Sequence, residues 1–83
     1  MAAKKIEITP SQLVQNNKFL DAVLSKQSLK NDAALSRALA VAPPVISKIR
    51  HGILPVGAVM MIKVHELTGM LFAEIRNFIP KTA

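Results

Sequence analysis

The chain has 83 residues, enough for one small domain with a modest core, which excludes two-domain and barrel enzymes. Eleven Lys and Arg against five Asp and Glu leave a net charge of +6, so anionic partners such as nucleic acid or acidic lipid are favoured. Hydrophobic residues make up 51% but aromatics only 4%, and there is no Cys. The core therefore falls to aliphatic side chains, single-strand readers lack their stacking platforms, and disulfides, thiolate catalysis and Cys-containing zinc sites are excluded.

Residues 1–8 read as a flexible basic arm carrying Lys4 and Lys5, ahead of a domain over 9–80. Thr9 before Pro10 is an N-cap followed by proline at the first helical position, and Leu13 with Val14 gives that short segment something to bury. Asn16 and Asn17 interrupt it. Phe19, Leu20, Val23 and Leu24 then share one face of a helix over 17–27, with Lys18, Asp21 and Lys26 opposite.

Asn31 caps the next helix, over 31–39, with Asp32 at its positive end and Leu35, Ala38 and Leu39 as the buried stripe. Proline cannot continue that helix, but Pro43 and Pro44 suit a first turn, where two orphan N–H groups disappear and Ala42 suffices as cap. Ile46 and Ile49 form the buried side of that third helix, which ends near His51 with Gly52 in the left-handed conformation. A fourth helix over 58–68 buries Met60, Val64 and Leu67, pairs Lys63 with Glu66 and stops at Gly69. A fifth over 70–79 buries Leu71, Ile75, Phe78 and Ile79 and is closed by Pro80.

The longest uncharged apolar-rich run, 52–62, contains Pro55 and two glycines and falls short of the roughly 18–20 residues of a membrane span. Lys4 and Lys5 are followed by no apolar h-region, so a secretory signal is not expected, and the expected location is the cytoplasm, as a nucleoid-associated or phage-encoded bacterial protein.

Residues 32–52 read helix, short turn, helix. The stretch Leu35-Ser36-Arg37-Ala38-Leu39-Ala40-Val41-Ala42-Pro43-Pro44-Val45-Ile46-Ser47-Lys48-Ile49-Arg50-His51-Gly52 resembles, without insertion, the helix-turn-helix of lambda-repressor-like transcriptional regulators, the Cro, phage-repressor and xenobiotic-response-element type. That family usually reads Leu-Ala-x-x-Leu-Gly-Val-Ser-x-x-x-Val-Ser-x-x-x-x-Gly. Three positions depart from it. Ala40 replaces the turn glycine and restricts φ, which points to a slightly different turn. Pro43 replaces a base-reading polar residue, and Ser36 replaces the helix-crossing alanine, with a hydroxyl that can bond back to a backbone carbonyl.

The resemblance implies a small all-α, five-helix DNA-binding domain with a central helix-turn-helix. It also implies sequence-specific double-stranded DNA binding by a regulator of repressor type. In that docking the helix over 43–51 lies in the major groove. Pro44 and Val45 then meet thymine methyls, Ser47 and Lys48 meet base edges, and Asn31, Arg37, Arg50 and His51 meet phosphate. Asp32 is unfavourable near DNA, and the arm at Lys4 and Lys5 tracks phosphates or a minor groove. Plainer readings stand beside these: Lys48 and Arg50 as solvated charges, Val45 as an exposed valine or dimer contact, Pro43-Pro44 as a helix-start device, and Lys4 and Lys5 as a soluble end.

Enzymatic chemistry has little to stand on. His51 and His65 lie on different helices, His65-Glu66 lacks the second histidine of a metalloprotease helix, the five carboxylates show no catalytic pairing, and no glycine-rich phosphate loop is present. No catalytic residue, metal or cofactor is expected. The competing function is a protein-interaction adaptor or antitoxin-like subunit with the same fold, because Val59, Met61 and Ile62 leave the fourth helix apolar over much of its circumference. The family resemblance also implies a homodimer through the C-terminal helices. Anionic membrane binding is disfavoured, since there is no long amphipathic helix with a Lys-rich face.

Overall fold

The computed structural model describes residues 8–78. Among them are five α-helices and no strand: α1 Pro10–Lys26, α2 Asp32–Leu39, α3 Pro43–Arg50, α4 Ala58–Thr68 and α5 Phe72–Phe78. The basic arm expected at Lys4 and Lys5, and the Ile79 and Pro80 expected to close the last helix, lie outside the described residues.

α1 begins as its sequence dictates. Thr9 Oγ1 accepts from the Gln12 N–H at 3.2 Å while Gln12 Oε1 accepts from the Thr9 N–H at 2.9 Å, and Pro10 occupies the first helical position. The expected break at Asn16 and Asn17 does not occur; α1 runs through both as one helix of 17 residues. An interior Asn costs at most about 0.7 kcal/mol of helix propensity. Here Asn17 Nδ2 donates to the carbonyls of Leu13 at 3.0 Å and Arg50 at 3.1 Å, so its side chain supports the helix instead of competing with it.

α1, α2 and α3 are each followed by a left-handed residue. After α1, Ser28 has φ 53°, and the Leu29 N–H donates to the Leu24 carbonyl at 2.9 Å. After α2, Ala40 has φ 55°, and the Val41 N–H donates to the Ser36 carbonyl at 2.9 Å. After α3, Gly52 has φ 75°, and the Ile53 N–H donates to the Lys48 carbonyl at 2.8 Å. All three are Schellman endings. At Ala40 this left-handed turn carries a Cβ.

Phe19, Leu20 and Val23 of α1 pack with Leu35 and Leu39 of α2, Ile46 and Ile49 of α3, Met60 and Val64 of α4 and Ile75 of α5, all buried. Each such large side chain contributes about 1.5–3 kcal/mol. Val56 and Met70, from the connections, complete the core, and Phe78 packs on Phe19 with ring centroids 5.9 Å apart. Three expected details differ. Ala38 is exposed, because the buried stripe of α2 runs through Leu35, Ser36 and Leu39. Leu71 is exposed as well: α5 starts at Phe72, and Glu74 Oε1 accepts from the Leu71 N–H at 3.1 Å. Among the described residues Lys63 and Glu66 form no ion pair with each other.

Candidate nucleic-acid interface

α2 and α3 pack on one another, and both rest on α1. The buried Ser36 donates its hydroxyl to the Ala33 carbonyl at 2.8 Å, which satisfies the polar atom where α2 crosses its neighbours. Ile46 and Ile49 hold α3 from beneath. Their burial leaves Pro43, Pro44, Ser47, Lys48 and His51 exposed on the opposite side. Val45 is half-buried against the edge of the core, so it offers less outward surface than its position in the motif suggested.

The polar residues of this face are partly engaged already. His51 donates its Nδ1–H to the Ser47 carbonyl at 2.7 Å, with Ser47 Oγ 3.4 Å from the same nitrogen. In the neutral ring Nε2 is then an acceptor. Asn31 is the N-cap of α2, its Oδ1 accepting from the Ala34 N–H at 2.9 Å. Its amide nitrogen has no partner among the described residues. Arg37 in the last turn of α2 and Lys48 on α3 are exposed, and among the described residues neither has a carboxylate within ion-pair distance.

Arg50 is differently placed. Its side chain is 17% exposed and forks onto Asp32, with Nε to Oδ2 at 3.1 Å and Nη2 to Oδ1 at 2.9 Å. Nη1 pairs with Asp21 Oδ1 at 2.8 Å and donates to Asn17 through its backbone carbonyl at 3.2 Å and Oδ1 at 3.1 Å. Burial alone would lower the guanidinium pKa, but the hydrogen bonds and charges of Asp32 and Asp21 lift it above its ordinary value. Arg50 thus ties α3 to α1 and α2.

This clamp redraws the charge map. Lys30, Arg37, Lys48 and Arg50 against Asp32 give +3 over 30–51 in the sequence. In space Arg50 is matched by two carboxylates, so that cluster carries a net −1, and Lys30, Arg37 and Lys48 are the exposed cations of the 30–51 stretch. The roles of Asn17 and Asp21 were not visible from the sequence, where Asp21 read as a solvent-side helix residue and Asn17 as part of a break between helical segments. Asp32 loses its expected conflict with an anionic partner to the extent that Arg50 neutralises it.

A second surface lies on α4 and α5. Val59 and Ile62, 67% and 48% exposed, sit one turn apart on α4. His65 follows on the same helix, its ring stacked on the exposed Phe72 with centroids 4.5 Å apart. No helix among the described residues is long and apolar enough to cross a membrane, and no group of three His, Asp or Glu among them is gathered as a metal site requires. No protein-family model, curated protein or solved structure matches the chain.

Proposed function

We propose that this protein binds double-stranded DNA sequence-specifically through α3, as a lambda-repressor-like transcriptional regulator that represses by occupying its site. The observation that carries the reading is the disposition of α3. It is anchored by two buried isoleucines and a four-residue polar clamp, and it turns outward Pro44, Ser47, Lys48 and His51, with Arg37 on the adjoining helix. In this reading Ser47 and Lys48 read base edges, while Arg37, Asn31 and His51 meet phosphate. Arg50 acts as a positioning residue. Selection of binding sites from random duplex DNA, followed by titration at several salt concentrations, tests it: a preferred site is expected, with affinity falling linearly on log–log axes. Equal binding of selected and random duplexes would sink it.

The exposed Val59, Ile62 and Phe72 favour a companion reading, in which the α4–α5 face joins two copies or receives another protein. A homodimer through this face would present two copies of α3 to half-sites about one DNA turn apart. Sedimentation over a concentration series and a pull-down without nucleic acid separate an adaptor from a dimeric DNA reader.

A further inference from the structure

Residues 40–45 carry no polar side chain, although they form the turn between α2 and α3 and the first turn of α3. Four of them, Ala40, Ala42, Pro43 and Pro44, are exposed, and Val41 and Val45 are half-buried. Exposed turns ordinarily carry Gly, Asn, Asp or Ser. The two prolines also remove the N–H groups of the first two helical positions, and Ala42 provides no side-chain cap. This helix start therefore has half the usual amide donors and is poorly equipped to hold a phosphate or a base acceptor.

What surrounds the apolar tip identifies what it meets. Arg37 is in the last turn of α2, just before this turn begins, and Lys48 lies one turn after Pro44 on α3. Both are exposed cations without a carboxylate partner among the described residues. Apolar surface bracketed by cations is the complement of a major groove in which pyrimidine C5-methyl groups lie between two rows of phosphates. We propose that the tip formed by Ala42, Pro43, Pro44 and Val45 reads pyrimidine 5-methyl groups, those of thymine and of 5-methylcytosine. The proposal rests on the duplex-binding reading and names what that site recognises. Base discrimination at this end of α3 is then by methyl contact, with hydrogen-bond readout left to Ser47 and Lys48 further along the helix.

The test alters the DNA and leaves the fold untouched. Fluorescence anisotropy compares the full chain on its selected duplex with duplexes in which single thymines are replaced by deoxyuridine, which lacks only the methyl. A loss of about fourfold is expected at each contacted position, the equilibrium worth of one buried methyl-sized group. With Pro44→Ala the thymine-to-uracil ratio shrinks toward one at the positions Pro44 covers, at unchanged circular dichroism. If every uracil duplex binds like its thymine parent while the selected site still outcompetes random DNA, the methyl reading is overturned and duplex binding stands. If selection returns no preferred duplex, both fall together. Tighter binding to phosphatidylglycerol vesicles than to any duplex, weakened by Pro44→Ala, would assign the tip to lipid and overturn it as well.

Discussion

Asn17 and Arg50, 33 positions apart, each donate a hydrogen bond to the other's main chain: Asn17 Nδ2 to the Arg50 carbonyl at 3.1 Å, and Arg50 Nη1 to the Asn17 carbonyl at 3.2 Å. The first satisfies one of the orphan carbonyls at the end of α3, and the second fixes the guanidinium that also holds Asp21 and Asp32. This polar joint adds to the apolar packing of α3 on α1.

Arg50→Lys is expected to lower stability by about 2 kcal/mol, because an ammonium cannot reproduce the fork onto Asp32 while also reaching Asn17, and bonds to charged partners are worth about 1.5–3 kcal/mol. For a domain of this size that is a fall in Tm of roughly 10 °C. Thermal unfolding of Arg50→Lys, Asn17→Ala and the double variant should give a coupling near 1 kcal/mol. Unchanged stability with weakened duplex binding would instead return Arg50 to the phosphate role.

Asp21 is 66% exposed and is the second carboxylate on a single guanidinium. Asp21→Asn is expected to cost no more than about 1 kcal/mol of stability, as for other exposed pairs. It removes the excess negative charge beside α3. Affinity for unselected duplex should rise, and the salt dependence should steepen by about one unit of log–log slope. An unaltered slope would mean that this corner lies away from DNA.

Lys48→Ala and Arg37→Ala should behave differently although each deletes one exposed cation. Loss of Lys48 is expected to relax sequence preference by about 1–3 kcal/mol at one position, whereas loss of Arg37 weakens all duplexes alike. Competition titrations with single-base variants of the selected site distinguish the two patterns.

Ala40→Gly and Ser28→Gly should each stabilise the fold by about 0.5–1 kcal/mol. Each relieves a Cβ held at positive φ, which costs about 1–2 kcal/mol, against the greater unfolded-state freedom of glycine. Gly52→Ala runs the other way: its φ is 75°, and an added Cβ would stand 3.4 Å from Leu13 Cδ1. Urea denaturation of the three variants checks the signs.

Ile62→Glu places a charge in the middle of the exposed α4 surface. If two copies meet there, sedimentation should show the variant monomeric at concentrations where the parent self-associates, with Tm at low concentration unchanged because Ile62 is not part of the core.

The positions of α2, α3 and α4 were legible because each carries its own local punctuation: Asn31 as cap, Pro43 and Pro44 at a first turn, Gly52 and Gly69 at the ends. Apolar spacing located Leu35, Leu39, Ile46, Ile49, Met60 and Val64 for the same reason. Asn16 and Asn17 misled, since propensity registers the small local cost of asparagine and not the distant carbonyl that Asn17 caps. Arg50 read as a surface cation because a charge is visible in sequence while its partners, 18 to 33 positions away, are not. Leu71 and Ala38 show the limit of spacing itself: both fit an apolar period, but Leu71 precedes α5, which starts at Phe72, and Ala38 lies outside the buried stripe of α2.

Because Arg50 fixes α3 to α1 and α2 during folding, the loss of orientational freedom at this helix is met before any partner arrives. Association then has little left to order, the condition under which a small contact surface reaches useful affinity. Substitutions at Asp32 or Asn17, which need touch no ligand, should accordingly act through the rigidity of the docked face, and their signature would be faster dissociation at an unchanged encounter rate.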